Sequence, residues 1–311
     1  MYNNNLAKKY LKRVTSLLRR YYCYCRPFYY NYRQNREIIT LLSKIKFYLA
    51  LNRKRKVLYE REMNFLQNSA RTDNMYSFIL PYPFVYKYER EKIDVFFDEE
   101  KEMFFVIHNS KQLYFGKNFK CESSVEEYYK SLLIEQDGNS PHRYLDSTFD
   151  VNEGDVVVDC GAAEGNFSLE IIERVSKIYI IEPDKNWVEA LSATFEPWKS
   201  KIVLIDKFLT AQDSDISISL STILNRDVVN FVKMDIEGFE RKVIKNTLLD
   251  LKKANLKLAI CTYHKNNDSK IISRYLEKCD YTYSFTKGYM LFIYSILRPP
   301  FFRKVIVRAY K

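Results

Sequence analysis

Two short clusters of acids and glycines carry most of the chemistry legible in this chain. The first is Asp159-Cys160-Gly161-Ala162-Ala163-Glu164-Gly165, and the second is Lys233-Met-Asp235-Ile-Glu237-Gly238-Phe-Glu240. The chain holds only seven glycines in 311 residues, so each one marks a place where a side chain is hard to fit. In the first cluster Gly161 and Gly165 let a backbone turn approach a ligand closely. A dinucleotide turn reads G-x-G-x-x-G and sets a pyrophosphate on a helix N-terminus. Here Asp159 stands where its first glycine would be, and Glu164 lies near the helix start, where it would repel a phosphate. The pattern therefore points to a nucleoside-like ligand with positive rather than negative charge.

Further acids follow in register. Glu182 lies 23 residues after Asp159, at the end of the next apolar run, where a carboxylate can accept from both ribose hydroxyls. Asp206 ends the third run and can accept from an adenine amino group. Together these acids favour S-adenosylmethionine, with its ammonium and sulfonium, over NAD. The expected cofactor contacts are Asp159, Gly161, Ala162, Ala163, Glu164, Gly165, Glu182, Asp206 and Asp235. Methyl transfer to an alcohol needs a base for the departing proton. His264, after the fifth apolar run in Thr262-Tyr263-His264-Lys265, is the first candidate, with Asp235 and Glu237 as alternatives. Asp235 and Glu237 read equally as positioning the methionine end and capping a helix that starts at Phe239. Asp235, Glu237 and Asp268 could hold a divalent ion, a reading not favoured. His142, Arg143 and Asp268 are candidate acceptor contacts, His142 and Arg143 being suited to a carboxylate or phosphate; the plainer reading of His142 and Arg143 is a linker ion pair. His108 is assigned no chemistry.

These residues need strands and helices to hold them. From Gly154 the chain alternates: strands are expected at Val156–Asp159, Lys177–Ile181, Ile202–Ile205, Val229–Met234 and Leu256–Thr262. Helices are expected at Asn166–Val175, Asn186–Phe195, Phe239–Asn246 and Ser269–Cys279. Continuous apolar strands between helices mean a doubly wound, mostly parallel, Rossmann-like α/β sheet. Tyr281–Thr286 and Tyr289–Ile296, around Lys287-Gly288, are expected to close it as a hairpin with an antiparallel last strand. Upstream, Phe78–Leu80, Ile93–Phe97, Met103–Ile107 and Gln112–Phe115 read as a small antiparallel sheet, followed by a helix over Val125–Ile134. Leu6–Tyr22 and Ile38–Leu66 have helical spacing and a basic character. The expected division is a basic helical N-terminal arm (1–72), a small β-rich region (73–134), the α/β domain (135–297) and a basic tail (298–311).

Charge follows this division. Residues 1–60 carry 15 Lys/Arg against Glu37 and Glu60, a net +13, and 298–311 carry +5, which leaves −7 for the middle. A nucleic-acid-binding body is more often basic itself, and no N-P-P-Y-like motif is present, so nucleic acid is not the expected partner. The basic arm instead suits peripheral contact with an anionic membrane face or with a partner. Six scattered cysteines without paired C-x-x-C spacing, and three histidines, give no zinc site and suit a reducing cytoplasm. No apolar run is long enough for a membrane span, and no signal core follows the basic start. The expected location is cytoplasmic, peripheral to the inner face of a membrane if the arm docks there.

Three stretches carry a family resemblance: Val157-Val-Asp-Cys-Gly-Ala-Ala-Glu-Gly-Asn-Phe167, Ile181-Glu-Pro-Asp184 and Val232-Lys-Met-Asp-Ile-Glu-Gly-Phe-Glu240. The chain resembles the FkbM-type S-adenosylmethionine-dependent methyltransferases over about residues 135–295. K-x-D-x-E-G-x-E is the most specific element. The resemblance implies a class I methyltransferase fold and O-methylation of a sugar or polyketide-like hydroxyl. It places Asp159, Gly161, Gly165 and Glu182 on cofactor positions, and Asp235 and Glu237 on the fourth-strand motif. Where the family often carries an acid after a leucine, this chain has Leu220-Ser221. The rival from another class is a non-catalytic α/β scaffold in a glycan-assembly complex. It is disfavoured because such a protein has no need of an intact cofactor turn.

Overall fold

The computed structural model describes residues 27–68, 75–293 and 298–311. The expected helix at Leu6–Tyr22, together with Cys23 and Cys25, lies outside them. The core is a seven-stranded sheet built from β4 (Val156–Cys160), β5 (Lys177–Ile181), β6 (Ile202–Ile205), β9 (Phe231–Met234), β10 (Lys257–Cys261), β11 (Thr282–Phe285) and β14 (Ile306–Tyr310), after three short strands upstream, β1 (Val95–Asp98), β2 (Met103–His108) and β3 (Lys111–Tyr114). Its order is β11-β14-β10-β9-β4-β5-β6. Neighbours from β10 through β6 pair in parallel, and β14 runs antiparallel to both β10 and β11. The apolar runs of β4, β5, β9 and β10 are buried on both faces, which is why they read as unbroken rather than alternating. After β4 the chain winds outward through β5 and β6, then returns to β9 on the other side. The switch point between β4 and β9 therefore opens at the carboxyl edge of the sheet, where ligands of doubly wound sheets bind.

The end of the chain differs from expectation. The antiparallel strand is Ile306–Tyr310, inserted between β10 and β11, so residues 298–311 are not a basic tail. Among the described residues of the expected second hairpin strand, Tyr289–Ile293 do not join the sheet; β12 (Met290–Leu291) pairs instead with β13 (Phe302–Arg303). Charge hid the strand. Arg308 is buried, yet its guanidinium pairs with Asp146 and donates to the Arg143 carbonyl at 2.8 Å. Its positive charge is thus matched rather than solvated.

Upstream, β1, β2 and β3 form the expected small antiparallel sheet, while Phe78 and Ile79 belong to a helix, Met75–Ile79, rather than to a strand. This sheet shares a core with the α/β body: Val106, Leu113 and Phe115 pack in one cluster with Leu169, Ile178 and Leu191. The Tyr114 N–H also donates to Thr194 Oγ1 at 3.0 Å. The arm is helical at Pro27–Leu51, Arg53–Leu58 and Glu60–Asn68. It is docked rather than free. Leu42, Ile45, Leu49, Tyr59, Met63 and Leu66 pack on Phe78, Leu291, Phe301 and Phe302. The Tyr82 hydroxyl donates to Glu62 at 2.6 Å and fastens that contact. Among the described residues no helix is long and apolar enough to cross a membrane.

Candidate functional site

The turn after β4 is shaped by two constraints. Gly161 has φ +74°, and a Cβ there would collide with the Asp235 carbonyl oxygen. Only glycine lets β4 and β9 end so close together. Lys233 then locks the turn. Its Nζ is 2.9 Å from Asp159 Oδ1 and donates to the Gly161 carbonyl at 2.7 Å. Asp159 is fully buried and also accepts from Ser168 Oγ at 2.7 Å. Asp159 therefore pins the turn from beneath and does not line the cavity. Gly165 is likewise a packing glycine: with φ +86°, its missing Cβ would lie 2.6 Å from Leu191 Cδ2.

Above the turn lies a cavity of about 530 Å³ at the carboxyl edge. Gly161, Ala162, Ala163, Glu164, Glu182, Asp235 and Glu237 all line it, as the sequence placed them. Glu182 accepts from the backbone N–H groups of Ala163 and Asp184, each at 2.9 Å, which fixes its carboxylate at the end of β5. Asp206 is exposed and outside the lining; Phe208 and Leu209 occupy that wall instead. The chain turns into a short strand, β7 (Phe208–Thr210), paired with β8 (Ser217–Ser219), which presents apolar groups where an acid was expected.

Asp235 is held by side chains from three sides. It accepts from the Tyr144 hydroxyl at 3.0 Å and the Tyr263 hydroxyl at 3.1 Å, and His264 Nε2 lies 3.3 Å away. Burial would raise its pKa, but His264, Lys233, His142 and the Tyr144 hydroxyl outweigh that and lower it, so it stays ionised. His264 sits behind it, buried and outside the cavity lining. Burial alone would push this imidazole down, but Glu240, Glu237 and Asp235 hold it up at about 10. His264 therefore carries its proton at neutral pH and is not placed to accept one, contrary to the first reading of it. Glu240 organises the same loop: it accepts from the N–H groups of Ile236 and Gly238 at 2.9 and 3.2 Å, and lies 3.0 Å from His264 Nδ1.

The remaining expected contacts are structural. His142 is buried, 3.0 Å from the Tyr263 hydroxyl, and pushed down by burial to about 4, hence neutral. Arg143 turns away from the cavity to Glu170 at 2.7 Å and to the Gln136 carbonyl, the plain ion pair that was its other reading. Asp268 is fully buried, accepts from the Lys265 N–H at 2.7 Å and pairs with Arg241. Among the described residues, the groups of potential metal ligands are His142/Asp235/Cys261 and Asp235/Glu240/His264; neither includes Glu237 or Asp268.

Among the lining residues without a sequence-based assignment are Lys233, Tyr128 and Glu135. Tyr128 donates to Glu164 at 2.9 Å. Glu135 ends the helix Glu122–Glu135 and faces the cavity. Burial first, then Asp235 and Glu164, push Glu135 up to about 8, and burial lifts Glu164 and Glu182 to about 7. Glu237 is raised by burial as well, against the pull of His264. Six carboxyls, those of Glu135, Glu164, Glu182, Asp184, Asp235 and Glu237, thus line the cavity with two ammonium groups, Lys185 and Lys233. Such a surplus suits a cationic ligand and repels a phosphate.

Residues 210–283 match the model of the methyltransferase FkbM domain family. That segment contains the Lys233–Glu240 motif on which the sequence resemblance rests, and the family is one of S-adenosylmethionine-dependent methyltransferases. No curated protein sequence matches the chain. Among solved structures, a methyltransferase FkbM from Methylobacillus flagellatus KT is 19% identical over 60% of this chain and 52% of that one, with a TM-score of 0.44. This chain therefore aligns with about half the length of that protein. A precorrin-6y C5,15-methyltransferase from Geobacter metallireducens GS-15 is 15% identical over 53% of this chain and 85% of that one, at a TM-score of 0.37. A tRNA m1G37 methyltransferase from M. jannaschii is 20% identical over 67% and 54%, at 0.38.

Proposed function

We propose that this chain, with its FkbM-type fourth-strand motif and class I sheet order, methylates a hydroxyl oxygen of a sugar or glycan-like acceptor from S-adenosylmethionine. The observation that carries the reading is the acid-lined cavity at the β4/β9 switch point, closed below by the Lys233–Asp159–Gly161 clamp. The residues present fit the cofactor. Glu182, with both oxygens anchored on backbone N–H groups, retains free lone pairs for ribose hydroxyls. The Gly161–Glu164 turn gives close backbone approach. Asp235, kept ionised, and Glu164 supply negative charge for the ammonium end. When bound, the cofactor supplies an electrophilic methyl group on a sulfonium.

The chain's own part is placement and proton removal. Tyr144, Tyr263 and His264 hold Asp235 in one orientation, and Glu240 holds the loop on which Asp235 and Glu237 sit. Glu237 is the carboxyl best placed as base. Its side chain is 51% exposed at the cavity rim, and its pKa is raised above the ordinary carboxylate value. Protonated His264, 3.8 Å away, steadies the ionised form. The FkbM-type resemblance supports a sugar-like acceptor.

Calorimetry with S-adenosylmethionine, its demethylated product and NAD tests the cofactor. Micromolar binding of the first two, and none of NAD, is expected; NAD binding alone would overturn the reading. An acceptor screen with methyl-labelled cofactor tests transfer, and Glu237→Gln is expected to lower kcat at least about 100-fold with unchanged cofactor affinity. Cofactor binding without transfer to any hydroxyl acceptor would favour the scaffold reading instead.

A further inference from the structure

The docked part of the arm has two apolar sides, and only one is used. Leu42, Ile45 and Leu49 lie on one stripe of the helix Pro27–Leu51 and are buried on the body. On the outer side Phe47 is 70% exposed and Leu51 69%, and in the short helix that follows Val57 is 70% and Leu58 52% exposed. That second helix, Arg53–Leu58, buries no residue at all. Exposed Lys44, Lys46, Arg53, Lys54 and Lys56 stand among these apolar groups, and no acid occurs between residues 38 and 59. Single exposed apolar side chains are ordinary. Four within twelve residues, with five exposed bases before and among them, are not needed to hold the arm down, because the inner stripe already does that.

We propose that this outer face is a docking surface for an anionic lipid bilayer. Phe47, Leu51, Val57 and Leu58 would enter the boundary between headgroups and acyl chains, while the lysines and Arg53 meet headgroup phosphates and carboxylates. Charge complementarity selects this occupant. Residues 1–26 carry seven bases and no acid, so they would be repelled from the face, as would the same face of a second copy. A nucleic acid would use the bases but leave the aliphatic groups in water. The face is also held by the core beneath it and by Tyr82, whose hydroxyl donates to Glu62 of the arm and accepts from the Tyr289 N–H of the body.

Co-sedimentation of the full chain with vesicles tests this independently of catalysis. One set is phosphatidylcholine alone; the other contains about 30% phosphatidylserine. The chain is expected to partition at least about tenfold more strongly onto the anionic set, with the difference shrinking as salt rises. Phe47→Ser/Leu51→Ser/Val57→Ser and, separately, Arg53→Glu/Lys54→Glu/Lys56→Glu should each lower that partition at least about tenfold. An unchanged melting temperature and unchanged S-adenosylmethionine affinity would show that the variants fold. Equal partition onto both vesicle sets would overturn the proposal. So would full binding by either variant, or displacement from vesicles by mixed-sequence duplex DNA at physiological salt.

Discussion

Glu135, Glu164 and Glu182 are acids whose protons the ligand-free cavity retains. Their folded pKa values, about 8, 7 and 7, lie above the ordinary 4.5, so the stability they contribute is full below about pH 4.5 and is lost as pH rises through 7 to 8. His264, raised from 6.5 to about 10, acts in the same direction: its contribution is complete below about pH 6.5 and disappears as pH rises through 10. The ligand-free chain should therefore lose stability steadily from about pH 5 to 10, as urea titrations across that range would show. A cationic ligand reverses the preference of the three acids. Binding of S-adenosylmethionine at pH 7 is expected to release protons and to tighten between pH 6 and 8; calorimetry in two buffers of different ionisation enthalpy measures the release. His264→Gln should raise the pKa of Asp235 by removing its nearest positive partner, and so move the acidic limb of the kcat/KM profile upward. At this scale the sequence was partly legible. Spacing put Glu164, Glu182, Asp235 and Glu237 on the cavity wall, because each lies at or within four residues of the end of an apolar strand. It misjudged Asp159 and His264, because position at a strand end does not say whether a charge faces the ligand or a buried counter-ion. Lys233 and Glu240, 74 and 24 residues away along the chain, decide that.

Strand ends are joined here by a buried ion pair. Lys233→Met would leave Asp159 buried with an unmatched charge, at a cost of about 3–5 kcal/mol, and would free the Gly161 turn. Adding Asp159→Asn should recover a good part of that stability but not cofactor affinity, because the turn remains unclamped; chemical denaturation and calorimetry on the same samples separate the two. The parallel strands and their order were readable because a strand buried on both faces is a bare apolar run. β14 was not. Arg303, Lys304, Arg308 and Lys311 gave its region the composition of a solvated tail, and the matching charge on Asp146 is 162 residues distant. Because β14 lies inside the sheet, truncation after Lys304 is expected to abolish folding, seen as loss of near-ultraviolet circular dichroism.

The whole molecule is held together across the divisions that composition suggested. The β-rich region and the α/β body share one core, and the arm closes over Leu291, Phe301 and Phe302. Deleting residues 1–68 would bare that apolar patch and should lower the melting temperature by several degrees, where a free arm would be removed at no cost. Periodicity predicted the arm's helices but not their docking, since the same apolar residues could have served a coiled coil. The charge series along the chain has a further consequence. The docked arm, residues 27–60, nets +6, while residues 61–311 net −2 once the five bases of 298–311 are counted into the sheet, which makes the molecule an electric dipole with its acid-lined cleft away from the positive end. Near a negatively charged surface such a molecule is turned by the field before it touches, arm foremost, so that orientation is largely settled during approach. Stopped-flow mixing with anionic vesicles should accordingly show an association rate that falls steeply with ionic strength, while the dissociation rate, governed by the apolar insertions, changes little.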